Sequence, residues 1–298
     1  MMSAATATIG GAGKRELMTT FRARFLRSRR IIFAGFFLAL MLLVAIFADA
    51  LSPANPLQNY LDNRLRPPLT PTADGRYLLG GDVLGRDILS RAIWGARISL
   101  AIGIAAVLAA GSVGVSLGLL AGYYGGRTDE AIMRIADVQL AIPTILLAIA
   151  LMGVLGPSLR NLILVLGISG WVIYARTVRG VVLSLGGSQF VEAARALGAS
   201  DPRIIAIHIL RNVWTPAIVI ASQQMGAMII LESSLSFLGL GVPPPTPTWG
   251  GMIAEGRNYL SVAWHATTLP GLILVSTVLG VNFFGDGLRD VLDPRLRL

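Results

Sequence analysis

The chain has no cysteine and only two histidines, and 14% of its residues are charged, well below the roughly 25% of an ordinary soluble domain. Without cysteine there is no disulfide, thiolate metal site or cysteine nucleophile. His208 and His265 lie too far apart in sequence to suggest a histidine cluster. Lysine is nearly missing as well, since the 25 basic residues are 24 arginines and Lys14. A phosphate-binding P-loop requires Gly-x-x-x-x-Gly-Lys-Ser/Thr. Lys14 does follow Gly13, but Thr8 stands at the first Gly position and Arg15 at the Ser/Thr position. No Walker A motif exists, so any nucleotide chemistry that drives this protein belongs to another chain.

What the sequence has in excess is apolar surface. It is 54% hydrophobic with 34 Gly and 15 Pro in 298 residues, and its mean hydropathy is +0.69. In hydrocarbon only helices and closed barrels satisfy their own backbone hydrogen bonds, and the long unbroken apolar runs exclude the barrel. A span needs about 20 such residues. Runs at 31–48, 98–126, 138–159, 161–175, 212–231 (continuing past Glu232) and 258–285 predict six spans. The weakest is the fourth, confined between Arg160 and Arg176. Ala48-Asp49-Ala50 resembles a signal-peptidase site, but the apolar core before it is too long and too far from residue 1 for a signal peptide.

Six spans put both termini on one side. If that side is the cytoplasm, 17 basic residues fall inside and eight outside, as the positive-inside rule favours. The organisation is then a basic cytoplasmic tail at 1–30, a first span with its outer segment at 31–97, and a five-helix core at 98–298. In the second span Gly114, Gly118 and Gly122 recur every fourth residue, followed by Gly126. That spacing lines them along one helix face where another backbone can approach closely.

The segment 188–212, S-Q-F-V-E-A-A-R-A-L-G-A-S-D-P-R-I-I-A-I-H-I-L-R-N, reads as helix, sharp turn and helix. Phe190, Val191, Ala194 and Leu197 form an apolar stripe, with Glu192 and Arg195 on another face. Gly198 sits where a C-terminal cap needs positive φ. Asp201 and Pro202 match an N-cap with a first-turn proline. Glu192-Ala193-Ala194, with Gly198 four residues later, resembles the EAA loop of binding-protein-dependent ABC importers. The competing reading of the segment alone is an amphipathic interfacial helix. The family usually has Pro near the end of this loop, where Ile209-Leu210-Arg211-Asn212 carries Arg211 instead.

Further stretches resemble the peptide and nickel branch of that family, in particular its dipeptide or oligopeptide C-type permease subunit: L-G-G-D-V-L-G-R-D-I-L-S-R-A-I-W-G-A-R-I-S-L at 79–100, A-G-Y-Y-G-G-R-T-D-E-A-I-M-R-I-A-D at 121–137, E-S-S-L-S-F-L-G-L-G-V-P-P-P-T-P-T-W-G at 232–250, and the ending L-R-D-V-L-D-P-R-L-R. The resemblance implies the all-α, six-span fold of type I importer permeases. In it, Glu192, Ala193, Ala194, Arg195, Gly198 and Asp201 form a cytoplasmic coupling helix that docks on a separate ATPase. It also implies a homologous B-type permease beside this chain, two ATPase subunits that bind ATP and Mg, an extracytoplasmic binding protein that delivers a peptide, and a location in the cytoplasmic membrane. This chain itself would carry no cofactor, metal or catalytic residue, and would bind lipid and no nucleic acid. The branch also contains importers of nickel and other solutes.

A few polar residues interrupt the spans. Glu232 costs about 2.5 to 3.5 kcal/mol at a bilayer centre, but it falls near a span end, which favours helix packing over a place on the substrate pathway. Gln223, Gln224 and Asn282 are further pathway candidates, weighed against ordinary interhelical hydrogen bonding. Gly85-Arg86-Asp87 with Arg91 reads as an outer gate, a docking surface or, more simply, an interfacial amphipathic helix. Pro243-Pro244-Pro245 with Pro247 stiffens an outer loop. A secondary transporter would instead call for an inverted repeat and mid-span ion-coupling carboxylates, and a mere scaffold would have no ATPase partner.

Overall fold

The computed structural model describes residues 29–72 and 75–292. The tail expected at 1–30 therefore falls outside the described residues up to residue 28, as does the ending beyond residue 292. Helix α1 (Arg29–Ile46) is 18 residues long, about 27 Å at 1.5 Å per residue. Arg97 holds its C-terminal end by donating from Nε to the carbonyl of Ala45 and from Nη2 to that of Ile46, each at 3.0 Å. The chain then passes through a one-turn helix, α2 (Ala48–Leu51), to a small antiparallel hairpin of β1 (Thr70–Thr72) and β2 (Gly75–Tyr77), with Thr70 opposite Tyr77. The hairpin lies outside the spans, and the fold is all-α as expected.

Helix α3 (Ile88–Tyr124) starts ten residues before the predicted core. Its N-cap is Asp87, whose Oδ2 accepts from the Ser90 amide at 2.8 Å and the Ser90 hydroxyl at 2.6 Å, satisfying a donor that the helix itself leaves free. The expected third span is broken. Helices α4 (Gly126–Leu140) and α5 (Thr144–Leu155) meet at 90°, at Pro143, which supplies no amide proton to continue the ladder. The fourth span is far stronger than predicted: α6 (Leu159–Leu185) runs 27 residues. Arg176 and Arg179, which look like a boundary in sequence, lie inside it because Asp137 and Asp129 of α4 neutralise them, the second pair with an Nη2 to Oδ2 distance of 2.6 Å.

Past α6 come α7 (Gln189–Ala196) and the short α8 (Asp201–Arg203). A π-helical turn at Ile204–Ile209 joins α8 to α9 (Leu210–Phe237), making one continuous rod of 37 residues. The turn ends two residues before Arg211. Residues 249–259, placed partly in the last predicted span, instead form α10 (Trp249–Gly256) and a 3-10 turn, and the last span is α11 (His265–Leu292). Among the described residues, α3, α6, the 201–237 rod and α11 are long and apolar enough to cross a membrane. The α4–α5 pair makes a fifth crossing if counted as one, and α1 is the shorter remainder of the six.

The predicted glycine face is the seam between α3 and α6. A Cβ on Gly114 would lie 2.3 Å from the carbonyl oxygen of Trp171, one on Gly118 2.6 Å from that of Ala175, and one on Gly122 2.6 Å from Cβ of Val182. Gly126 is not part of this seam: it has open space around it and φ of +50°. Beyond the seam the core is built from Ile102, Ala106 and Ala110 of α3 against Leu162, Val165 and Leu166 of α6, with Met152 of α5 and Met228 of α9.

At the hairpin end, Arg86 and Arg91 do not form an exposed amphipathic face. Both are buried, with Asp82, in an ion-pair network that reaches Glu255 of α10. Arg86 Nε lies 2.7 Å from Asp82 Oδ2, and its Nη2 2.6 Å from Glu255 Oε2. Arg91 bridges the same two carboxylates, its Nη1 2.6 Å from Glu255 Oε2. Asp82 Oδ1 also accepts from the amides of Leu84 and Arg86. Trp249, fully buried, completes the clamp by donating from Nε1 to the Ala92 carbonyl at 3.1 Å.

Removing one member of a buried charge network leaves an uncompensated ion, at a cost of about 3 to 5 kcal/mol. Asp82→Ala is expected to lower the thermal midpoint of the purified permease in detergent by a margin that matches such a loss; an unchanged midpoint would mean that the network is not holding α10. Gly118→Val forces α3 off α6, an overpacking penalty of about 1 to 3 kcal/mol or more. Its expected signature is a lower midpoint than that of a control glycine substitution in open space, Gly153→Val, and equal midpoints would contradict a load on the seam.

Candidate functional site

The predicted docking loop closes one end of the bundle. Its first arm, α7, is attached by Val191 and Ala194, which bury against Val178 and Val182 of α6 and Ile204, Ile209 and Val213 of the following rod. The expected apolar stripe divides there. Val191 and Ala194 face the bundle, whereas Phe190 is largely exposed and Leu197 is 87% exposed. Glu192, Ala193, Arg195 and Gly198 are exposed too, so the outer face offers an apolar knob flanked by one acid and one base.

Gly198 has φ of +77°, the left-handed conformation that the turn requires. The N-cap of the second arm is Ser200, one residue earlier than the sequence suggests, with Asp201 and Pro202 inside the first turn. The Asp201 side chain is therefore free of capping and accepts a 2.6 Å hydrogen bond through Oδ1 from Tyr123 Oη at the end of α3. The Arg195 guanidinium stacks over the same tyrosine, with Cζ 5.3 Å from the ring centroid. Tyr123 was not among the sequence candidates. Its only sequence signal is its place in the Ala121–Asp137 stretch, at a helix end rather than in the loop it holds.

The bundle also carries a groove along α9, a chain of cavities of about 500, 370 and 500 Å³. The first lies between the α4–α5 elbow (Leu140, Thr144, Ile145), Ser169 and Ile173 of α6, and Gln224 and Ser234 of α9. It shares Ile145, Ile230 and Ser234 with the second, which shares Phe237 and Leu238 with the third. The third ends at the buried network, lined by Arg91, Glu255 and Pro243. From Gln224 to Phe237 the groove follows about 20 Å of α9.

Of the predicted pathway residues, the groove receives Gln224. Glu232 is fully buried, and its carboxylate accepts from Ser236 Oγ at 2.7 Å and Ser233 Oγ at 3.1 Å, which is the helix-packing alternative. Asn282 sits on another side of α9: its Oδ1 lies 2.7 Å from where a Cβ on Gly226 would be, about 200° around the helix from Gln224 at 100° per residue. Gln223 is half-buried and outside this lining. Sequence reading also missed Glu255, whose partners are more than 160 positions away.

Comparison with known proteins bears on this arrangement directly. Residues 114–298 match the family model described as the binding-protein-dependent transport system inner membrane component, and residues 17–68 match that of the N-terminal TM domain of oligopeptide transport permease C. Among curated proteins, the chain is 42% identical over 262 residues to the di/tripeptide transport system permease protein DppC of Pseudomonas aeruginosa, covering 88% of this chain and 86% of that one. It is 44% identical over 277 residues to the glutathione transport system permease protein GsiD of Pectobacterium atrosepticum, covering 93% and 91%. In fold it is similar to a chain of the inward-facing MetNI methionine ABC transporter, with TM-score 0.55 and 19% identity over 68% of this chain and 97% of that one. A bundle without a P-loop, a loop that closes its end and relatives that are permeases along nearly their whole length have one common account: the chain belongs to the inner membrane components of binding-protein-dependent transport systems, as a multi-pass ABC importer permease subunit of the dipeptide and oligopeptide C type.

Proposed function

We propose that this permease forms one wall of the translocation pathway of an ATP-driven importer for short peptides, and that 188–212 is the loop through which separate ATPase subunits move it. The carrying observation is the loop itself. It is attached to the bundle by two small buried residues, Val191 and Ala194, while Leu197, Glu192 and Arg195 stand out from the end of the molecule. A side chain as apolar as Leu197 at 87% exposure lowers its free energy by entering a pocket on another surface.

The groove along α9 supports the pathway half of the reading. Its cavities open to the outside of the chain, and on this reading the homologous B-type permease closes them. Its lining is mainly apolar with Thr144, Ser169, Gln224 and Ser234 as polar points, a surface suited to a solute with a mixed apolar and amide character. The relatives named for di/tripeptide and glutathione transport point to the same class, since glutathione is itself a tripeptide. The distribution of basic residues supports a cytoplasmic position for the docking loop and both termini, with the hairpin end facing an extracytoplasmic binding protein.

Co-expressed with its cognate permease, ATPase and binding protein, the chain is expected to import di- or tripeptides into membrane vesicles upon ATP addition. Leu197→Asp should leave the two permease subunits paired while removing most of the bound ATPase and reducing peptide-stimulated hydrolysis at least tenfold, given about 1.5 to 3 kcal/mol for burial of a leucine side chain. Purification of the complete permease pair without any ATPase, or wild-type hydrolysis in Leu197→Asp, would refute the docking assignment.

A further inference from the structure

We infer that Tyr123 is the positioning residue that makes the docking loop rigid against the α3–α6 body, so that displacement of the loop moves the groove rather than bending the loop. The inference rests on reading 188–212 as the ATPase docking element.

The loop has soft points. Gly187 and Gly198 are surrounded by open space, and Gly198 adopts the left-handed conformation at the turn between the two arms. Only Val191 and Ala194 of α7 are buried. A partner that pushes on Leu197 and Glu192 therefore acts on a short helix held by two small side chains and flanked by glycines. Such an element would absorb displacement in its own backbone torsions.

Tyr123 spans that weakness. Its ring lies beneath Arg195, before the Gly198 turn, and its hydroxyl donates to Asp201, after the turn. A single side chain thus grips both arms. It is also anchored well: Tyr123 lies on the last turn of α3, one residue beyond Gly122, whose missing side chain lets α3 meet Val182 of α6 closely. The Tyr124 ring packs edge-on against it at 5.2 Å between centroids. The same body carries the groove. Ser169 and Ile173 lie on α6, and the elbow residues Leu140 and Thr144 follow α4, which is tied to α6 through Arg179 with Asp129, Arg176 with Asp137, and Trp171 Nε1 donating to Gln139 Oε1 at 2.7 Å.

The Tyr123–Asp201 bond is solvent-exposed, where a polar contact contributes little to global stability. Its role is therefore separable from folding. The test uses the full complex of both permeases, ATPases and binding protein in liposomes, and reads peptide imported per ATP hydrolysed. Tyr123→Phe and Asp201→Ala are each expected to lower this ratio about fivefold or more, the lower range of site-to-site coupling, with ATPase subunits still bound to Tyr123→Phe and its melting temperature unchanged. The double variant should be no worse than either single one, because both remove the same bond. Asp201→Asn, whose amide oxygen still accepts from the phenol, should retain most of the wild-type ratio.

An unchanged ratio in Tyr123→Phe, multiplying effects in the double variant, or Asp201→Asn as poor as Asp201→Ala would overturn the inference. Loss of bound ATPase from Tyr123→Phe would overturn it too, since a brace behind the docking face leaves docking intact. A wild-type chain that binds no ATPase defeats the docking reading itself, whereas a coupled wild type with an indifferent Tyr123→Phe defeats the brace alone.

Discussion

Where α3 crosses α6, Gly114, Gly118 and Gly122 present no side chains, and the carbonyls of Trp171 and Ala175 occupy the space that methyl groups would need. Helices in lipid gain little from hydrophobic exclusion, because acyl chains are as apolar as leucine, and association depends on close packing. The seam supplies that packing over two turns. The other features hang from it: α4 is pinned to α6 by its two ion pairs, α9 packs Met228 against Gly170 of α6, and the docking loop closes over Leu119, Val178 and Val182 at the seam's end. Loosening the seam would separate the loop from the groove even if both kept their own shapes.

The two ends of this body are held by opposite electrostatic regimes. At the hairpin end, two buried arginines share the buried Asp82 and the half-buried Glu255, and removing either sign leaves the other unpaired, so the network is intolerant of partial loss. At the loop end, Tyr123, Asp201 and Arg195 meet in solvent, where each contact adds little to global stability. A transporter driven from one end has use for this asymmetry. The end that positions the outer loops is tied to global stability by its charges, whereas on the docking reading the loop end keeps its shape through an exposed brace that folding does not depend on.

How far the sequence revealed this depends on whether the interactions were local. The glycine seam was legible because four-residue spacing is a property of one helix, and the positive φ at Gly198 because a turn between two helical patterns demands it. The limits of the spans were not. Arg176 ends an apolar run in sequence, yet its partner Asp137 is 39 residues earlier, and the charge that looks like a boundary is neutralised inside a longer helix. Arg86 and Arg91 looked amphipathic for the same reason: Glu255, which pairs with both, comes from a helix whose sequence reads as loop. Leu197 belongs by spacing to the same apolar stripe as Val191 and Ala194, but those two already fill the space beneath α7, and helical spacing alone does not say where a supporting surface stops.

Within the groove, the two serine hydroxyls donate within their own helices. Ser169 Oγ donates to the Val165 carbonyl at 2.8 Å and Ser234 Oγ to that of Ile230 at 2.8 Å, each within its own helix. The serines thus offer only acceptor lone pairs to the groove. The Gln224 carboxamide lines the same wall as a group able to both donate and accept. On the pathway reading, this sparse polarity has a physical rationale. A peptide crossing the membrane must exchange some of its hydration for protein contacts, since unpaired amides in an apolar setting are costly. Yet a wall that satisfied every amide would hold the peptide in place, and binding shared equally by all positions along a path speeds nothing. A mainly apolar wall with a few weak acceptors lowers the entry penalty without creating a deep well, leaving tight recognition to a partner outside the membrane and the directional work to the subunits at the loop end.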